Sequence, residues 1–389
     1  MKAAYLDYAA SNPIDPRVRE AVLFALDAFG NPSSVHAQGR AVREAIDAAR
    51  ESVAGLLGVG PGSIVFTSGA TEANNLAIAG FFRRLKETLP AEKGMRLLVS
   101  AIEHPSVREA VKRVQVECGI AVGIVPVDQD GVVRVDRLRE MMSDDVVMVC
   151  VMWANNIIGS LQPIGDIAAV VRDERARRGA GGLPIVLMSD AVQALRTEDV
   201  RPAEAGVDLL SLSGHKIYGP KGVGALYVRE GMELAPLVVG GGQESGLRGG
   251  TENVPGIIGL GRAAAILSVD RGKDRGHAAR LQAALIAGLR TLGRITIFGD
   301  PSRSVPGILY FAAAGEQGDV LALKLDAAGV AVSSGSACEA GTRKAASVLQ
   351  EICSGPSAKN GGVRVSMGRS SSDEDIARLL EVLIDLKVR

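Results

Sequence analysis

The sequence carries no surplus of either charge: Lys+Arg and Asp+Glu each number 44, for a formal net charge of zero. Bulk electrostatics therefore favours neither nucleic acid nor an anionic membrane as a partner. Cysteine is scarce as well. Cys118, Cys150, Cys338 and Cys353 are spread along the chain with no C-x-x-C pair, which predicts a reducing cytoplasm and makes any special cysteine reactive rather than structural. The four histidines, His36, His104, His215 and His277, lack metal-ligand spacing, so no metal site is expected. No apolar run reaches membrane-spanning length, and the opening MKAAYLDYAASNPIDP has no apolar core of signal-peptide length. Neither a span nor export is expected.

What is present is alternation. Short apolar runs at 63–68, 96–101, 121–127, 146–152, 184–189, 207–213 and 224–228 read as strands, most of them apolar at consecutive positions. That is the pattern of parallel strands covered on both faces. Amphipathic helices lie between them; Val42, Ala45, Ile46, Ala49 and Val53 make one apolar stripe. The expected fold is α/β with a mostly parallel sheet and right-handed crossovers.

With 389 residues two lobes are expected. Residues 16–264 read as a large α/β domain. Residues 1–15 together with 265–389 read as a smaller α+β domain, with strands in ITIFGD and GILYFA and a last helix opened by Ser372 with Asp375 three residues on. The stretch 172–184 reads as a solvated helix end and turn, and 353–362 as a flexible loop.

In such a sheet ligands sit beyond the carboxyl ends of the strands. There, SLSGHKIYGPKGVG sets Lys216 just after an apolar strand, where an ammonium is costly and no loop carboxylate is at hand. Ser68-Gly69-Ala70-Thr71 opens a helix and suits a phosphate, although most such hydroxyls are only caps. Asp190, with Gln193 three residues later, ends another strand; it is either an ordinary cap or the partner of a protonated ring nitrogen. His104, Asn155 and Asn156 follow two further strands. Together these groups suit pyridoxal 5'-phosphate, whose aldehyde needs a lysine, its pyridinium a carboxylate and its phosphate donors. Burial is expected to lower the Lys216 amine and favour the neutral nucleophile.

The segments YLDYAASNPIDPRV, FGNPSSVHAQGRAVREA, FTSGATEANNLAI, SLSGHKIYGPKGVG, GGGQESGLRGGTENVPGI and AVSSGSAC resemble the cysteine desulfurases of the NifS/IscS type, class-V aminotransferases, from about residue 5 to 370. The resemblance implies the pyridoxal-phosphate-dependent transferase fold of type I and a homodimer. Lys216 would carry the cofactor, with Ala70, Thr71, Ser213 and His215 at its phosphate and Asp190 at its ring nitrogen. Gln193 and Asn155 would approach its phenolic oxygen, and His104 would stack on the ring and move protons. Thr251 would reach the phosphate of the other subunit. Arg364 would fork onto the substrate carboxylate, a match for planar bidentate guanidinium; the plainer alternative is a surface strand residue.

Cys338 lies among Ser333, Ser334, Gly335, Ser336 and Ala337, small residues that leave a sulfur open where a core cysteine would need none. Cys118 and Cys150 suit a core; Cys353 is left open. By the resemblance Cys338 takes sulfur from L-cysteine as a persulfide, releases alanine, and passes the sulfur to an acceptor protein, of iron–sulfur cluster assembly or another thiolation. Two positions depart from the family: Ile157 where glutamate is usual, and Ser245 where arginine is usual. Rival readings are an aminotransferase or selenocysteine lyase of the same fold, or a catalytically weak docking subunit for sulfur delivery.

Overall fold

A computed structural model of the chain describes residues 3–88, 94–335, 347–353 and 360–386. The chain order begins β1 (Ala4–Tyr5), α1 (Pro16–Leu26), α2 (Ala37–Leu57), β2 (Ile64–Thr67), α3 (Ala70–Thr88), β3 (Arg96–Ser100), α4 (Pro105–Cys118) and β4 (Ala121–Val125). It continues with α5 (Val135–Met141), β5 (Val146–Cys150), α6 (Ile164–Arg178), β6 (Val186–Asp190), α7 (Pro202–Ala205), β7 (Leu209–Ser213) and β8 (Gly224–Val228). The last third holds α8 (Val254–Thr291), β9 (Ile295–Phe298), β10 (Ile308–Ala313), α9 (Gly318–Ala327), β11 (Val330–Ala331), α10 (Ser347–Ile352), β12 (Val363–Ser366) and α11 (Asp373–Asp385).

All seven strands expected between residues 63 and 228 form one sheet, ordered β2-β8-β7-β6-β5-β3-β4. Neighbours from β4 to β7 run parallel, and β8 is antiparallel to both β7 and β2. Strand pleating sends successive side chains to opposite faces. Leu98, Val149, Leu187 and Leu210 accordingly pack into one cluster with α2, α6 and the start of α8, while Leu97, Val99, Met148 and Met188 join another with α3 and α4. Both faces are covered, which is why the strands read as unbroken apolar runs.

A second, three-stranded sheet, β12-β10-β9, is antiparallel. Its core takes Leu281, Leu285 and Leu289 from α8, Leu379 and Leu383 from α11, and Ala4 and Leu6 from the N-terminus, where β1 pairs with β11. Ser372 and Asp375 form a reciprocal capping box on α11. The 264/265 boundary falls inside α8, a single 38-residue helix that serves the first core through Leu260 and Leu267 and the other core through Leu281.

Residues 172–184 are the expected helix end and turn, exposed at most positions. Their first half completes α6, and Glu174 and Arg178 are buried as an ion pair. Arg178 also donates to the carbonyls of Val146 and Ser143, tying the helix end beneath β5. In sequence nothing sets Arg178 apart from its solvent-facing neighbours, because the carbonyls it meets are distant in the chain. Of the 353–362 loop, residues 354–359 lie outside the described residues.

Candidate active site

Lys216 follows β7 in a short 3-10 turn, Gly214–Lys216. Its Nζ donates to the backbone carbonyls of Ala9 and Ala10, at 2.6 and 2.8 Å. Gln193 Nε2 donates to the same Ala9 carbonyl at 3.0 Å. The N-terminal segment is laced to the lysine turn by further bonds, Asn12 N–H to His215 O and Asp15 N–H to Tyr218 O. The ammonium is thus received by main-chain oxygens, a partner that spacing in the sequence does not disclose.

These residues face a cavity of about 480 Å³ beyond the carboxyl ends of the strands. Its walls include Ala70, Thr71, His104, Asp190, Gln193, Ser213, His215, Lys216 and Arg364, nine of the twelve candidate residues. At the α3 end, Ala73 N–H bonds back to Gly69 O. The N–H groups of Ala70, Thr71 and Glu72 therefore belong to the first turn, where helices lack internal acceptors and favour an anion. The turn is compact because β8 approaches it closely: a Cβ on Gly224 would lie 2.5 Å from Leu212 O and 2.7 Å from Gly69 Cα.

Asp190 ends β6. Its Oδ1 accepts from Val192 N–H at 3.0 Å, as an ordinary turn cap would, and its Oδ2 accepts from Asn74 Nδ2 at 2.9 Å. Asn74 also donates to Ser106 Oγ at 2.8 Å, and Ser106 Oγ lies 2.8 Å from His104 Nδ1. His104 is the N-cap of α4, with Nδ1 accepting from Ser106 N–H. That bond assigns the proton of the neutral ring to Nε2. Burial pushes the imidazole below its ordinary value; Asp190 opposes this, and Lys216 and Arg108 reinforce it. Burial likewise lowers His215 to about 4, with Lys216 and Lys221 adding to the effect. Asn74, fully buried on α3, is a link that the sequence reading missed. In sequence it is one polar residue inside a helix, and only the tertiary register brings it to Asp190.

Arg364, on β12, reaches the cavity from the second sheet with only 6% of its side chain exposed. This is a buried cation and not a surface strand residue. Nη2 donates to Asp7 Oδ1 at 2.7 Å and Nη1 to Asn156 O at 2.9 Å. Its Nε has no hydrogen-bond partner among the described residues.

Three candidates stand elsewhere. Asn155 is not on the cavity wall: its amide donates to Ile102 O at 3.1 Å and accepts from the N–H groups of Ile157 and Ile158, at 2.9 and 3.1 Å. Those bonds build the turn, and Asn156 lines the cavity in its place. Thr251 is exposed and outside this cavity. Cys338 lies outside the described residues, while Ser333 and Gly335, just before it, line the cavity.

Both departures from the family pattern have structural settings. Ile157 packs with Phe298, Tyr310 and Leu349 in an apolar cluster, where an unpaired carboxylate would be costly. Ser245 is exposed and holds φ of 57°, beside Glu244 at 48°. Glu244 is secured by Arg50, at 2.7 and 2.8 Å, and by Phe66 N–H.

Do these residues fit pyridoxal phosphate? A cavity of this volume suits a small-molecule ligand. Lys216, Lys221 and Arg364 supply positive charge for a phosphate and a carboxylate, and Asp190, at the end of β6, supplies a carboxylate suited to a pyridinium. The orphaned, buried Nε of Arg364 is a donor lacking an acceptor. The donor set fits.

The whole-chain comparisons agree with this geometry. Residues 4–379 match the family described as aminotransferase class-V. The chain is 40% identical to cysteine desulfurase IscS 1 of Archaeoglobus fulgidus over 97% of its own length and 95% of that protein's. It is 37% identical to cysteine desulfurase IscS of Dictyoglomus turgidum, over 98% and 94%. Among solved structures it resembles a NifS-like protein, 31% identical over 99% of both chains with a TM-score of 0.90. It also resembles SspA solved in complex with cysteine, 32% identical over 94% of this chain and 99% of that one, with a TM-score of 0.80. On this sequence, sheet order and cavity, the chain belongs to the class-V aminotransferases, a pyridoxal-phosphate-dependent family, and within them to the cysteine desulfurases.

Proposed function

We propose that this chain converts L-cysteine to L-alanine with pyridoxal 5'-phosphate as cofactor, collecting the sulfur on Cys338 as a persulfide. The observation that carries the reading is the convergence of Lys216, Asp190, His104 and Arg364 on one cavity. Lys216 Nζ would hold the cofactor aldehyde and Asp190 its ring nitrogen, with Ala70, Thr71, Ser213 and His215 around its phosphate and Gln193 near its phenolic oxygen. Bound there, the cofactor supplies a sink for the electrons released at the substrate Cα.

Arg364 binds the substrate carboxylate as a guanidinium fork. Lys216 Nζ takes the Cα proton, and the neutral ring of His104 carries protons at Nε2. The Cys338 thiolate attacks the substrate sulfur: an S–S bond forms, the Cβ–S bond breaks, and its electron pair stays on Cβ. Protons then complete the methyl group of alanine. The sulfur atom and its electrons are accounted for without an external oxidant.

The remaining parts of the reading rest on the family. The working unit would be a homodimer, with exposed Thr251 serving the phosphate of a second copy. The persulfide sulfur would pass to an acceptor protein of scaffold type, in iron–sulfur cluster assembly or another thiolation. The setting would be a reducing cytoplasm; no helix among the described residues is long and apolar enough to cross a membrane.

The test is direct. The purified protein should be yellow and release alanine from L-cysteine; Lys216→Ala should be colourless, and Cys338→Ser should stay yellow while losing persulfide and alanine. Turnover of cysteine by Cys338→Ser would remove Cys338 as acceptor and favour a related enzyme such as a selenocysteine lyase. Little alanine from a yellow wild type would favour a docking subunit.

A further inference from the structure

Glu103 stands beside His104 in the sequence and is absent from the chemistry above. It is 2% exposed. At the end of β5 the strand's N–H groups alternate in direction. Val151 and Trp153 donate to the β6 carbonyls of Met188 and Asp190, at 3.1 and 2.8 Å. The intervening Met152 N–H points the other way, past the end of β3, and Glu103 Oε1 receives it at 2.7 Å. The same oxygen accepts from Ser100 Oγ, on the last residue of β3, at 2.5 Å. Oε2 has no hydrogen-bond partner among the described residues.

We propose that Glu103 is a positioning residue: an uncharged carboxylic acid that fastens the loop bearing His104 to the turn bearing Met152 and Asn156. Two parts of the cavity wall thereby share one anchor. An ionised Glu103 would leave half its charge on a buried oxygen with no donor, a costly arrangement; the protonated form avoids it. The neighbouring groups act accordingly. Burial pushes the carboxyl up to about 8, the bonds from Ser100 and Met152 pull it down, Asp190 on β6 raises it and Arg108 on α4 lowers it. Cys150, the last residue of β5, is raised well above its ordinary value by burial, and so stays a thiol. Glu103 then adds no second negative charge beside Asp190, the carboxylate proposed for the ring nitrogen.

A neutral acid has a neutral isostere. Glutamine keeps an oxygen for both Ser100 and Met152; alanine keeps neither bond. The experiment compares wild type, Glu103→Gln and Glu103→Ala in two measurements: kcat and KM for L-cysteine of the holoenzyme, and thermal midpoints of the cofactor-free protein from pH 5 to 9. Alanine should lower kcat by about tenfold with a smaller change in KM, since the His104 loop is misplaced while Arg364 keeps its ion pair with Asp7. Glutamine should restore most of that loss.

The stability arm has a definite sign. The carboxyl goes from 4.5 to about 8 on folding, so the unfolded chain releases a proton that the folded protein keeps. Wild-type stability from this group is complete below 4.5 and is lost as pH rises to about 8. The midpoint of Glu103→Gln should therefore gain on wild type across that window and then run parallel. A pH-independent difference, or glutamine as impaired as alanine, would show that the ionised form is the working one; wild-type kcat in Glu103→Ala would remove the positioning role. If the alanine variant fails to fold, the glutamine series decides alone. The proposal rests on the desulfurase reading only for its kinetic arm. A wild type that makes no alanine would end that reading and leave the stability comparison intact.

Discussion

At the scale of single residues the site works by keeping histidines neutral. His215 lies against Ser11, its Nδ1 3.2 Å from the hydroxyl, and burial holds it near 4 against an ordinary 6.5. Below pH 6.5 the unfolded chain therefore binds a proton there that the folded protein refuses until about 4. Stability from this residue is present above 6.5 and lost as pH falls across that window. His215→Asn should flatten this acid limb, seen as a smaller drop in the thermal midpoint of the apoprotein between pH 6.5 and 4 than wild type shows. Of these single residues, Lys216, Asp190 and His104 were legible in the sequence because each follows an apolar run, at the depth where sheet ligands sit. Asn74, Asp7 and Glu103 were not. Each acts through a partner far along the chain or on another element: Asp190 for Asn74, Arg364 for Asp7.

At the scale of elements, burial on both faces made the large sheet readable strand by strand. The two-residue strands β1 and β11 and the four-residue β12 are too short to show a period, so the join between the sheets was not visible. That join matters for the reaction, since β12 carries Arg364. Next to it on β10, Tyr310 is fully buried, its hydroxyl accepting from Gly362 N–H at 2.7 Å and donating to Ser334 O at 3.3 Å. One hydroxyl thus ties β12 to the segment preceding Cys338. Tyr310→Phe leaves the Gly362 N–H buried and unmet, and should cost about 1–3 kcal/mol in urea unfolding. It should also slow sulfur transfer to Cys338 more than it weakens cofactor binding.

At the scale of the whole molecule, two sheets contribute to one cavity, and the first fifteen residues run between them. Ala4 and Leu6 pack in the second core, while Ala9 packs in the first and offers its carbonyl to Lys216. Sequence reading grouped this segment with the smaller domain; nothing in its composition announces that its backbone receives the lysine. The longer tie is α8. At 38 residues it is a rod of about 57 Å, and it has no partner-free midpoint at which the chain could come apart. Arg369 on the second sheet's side grips Asp274 near its middle, at 2.7 Å, and Asp15 from the N-terminal segment, at 2.8 Å. Proteins built from two cores commonly melt in two steps. Here the shared axle should make them fail together, so calorimetry of the apoprotein should record one endotherm, with loss of near-ultraviolet and far-ultraviolet dichroism coinciding. Two separated endotherms would mean that the axle frays at its centre before either core gives way.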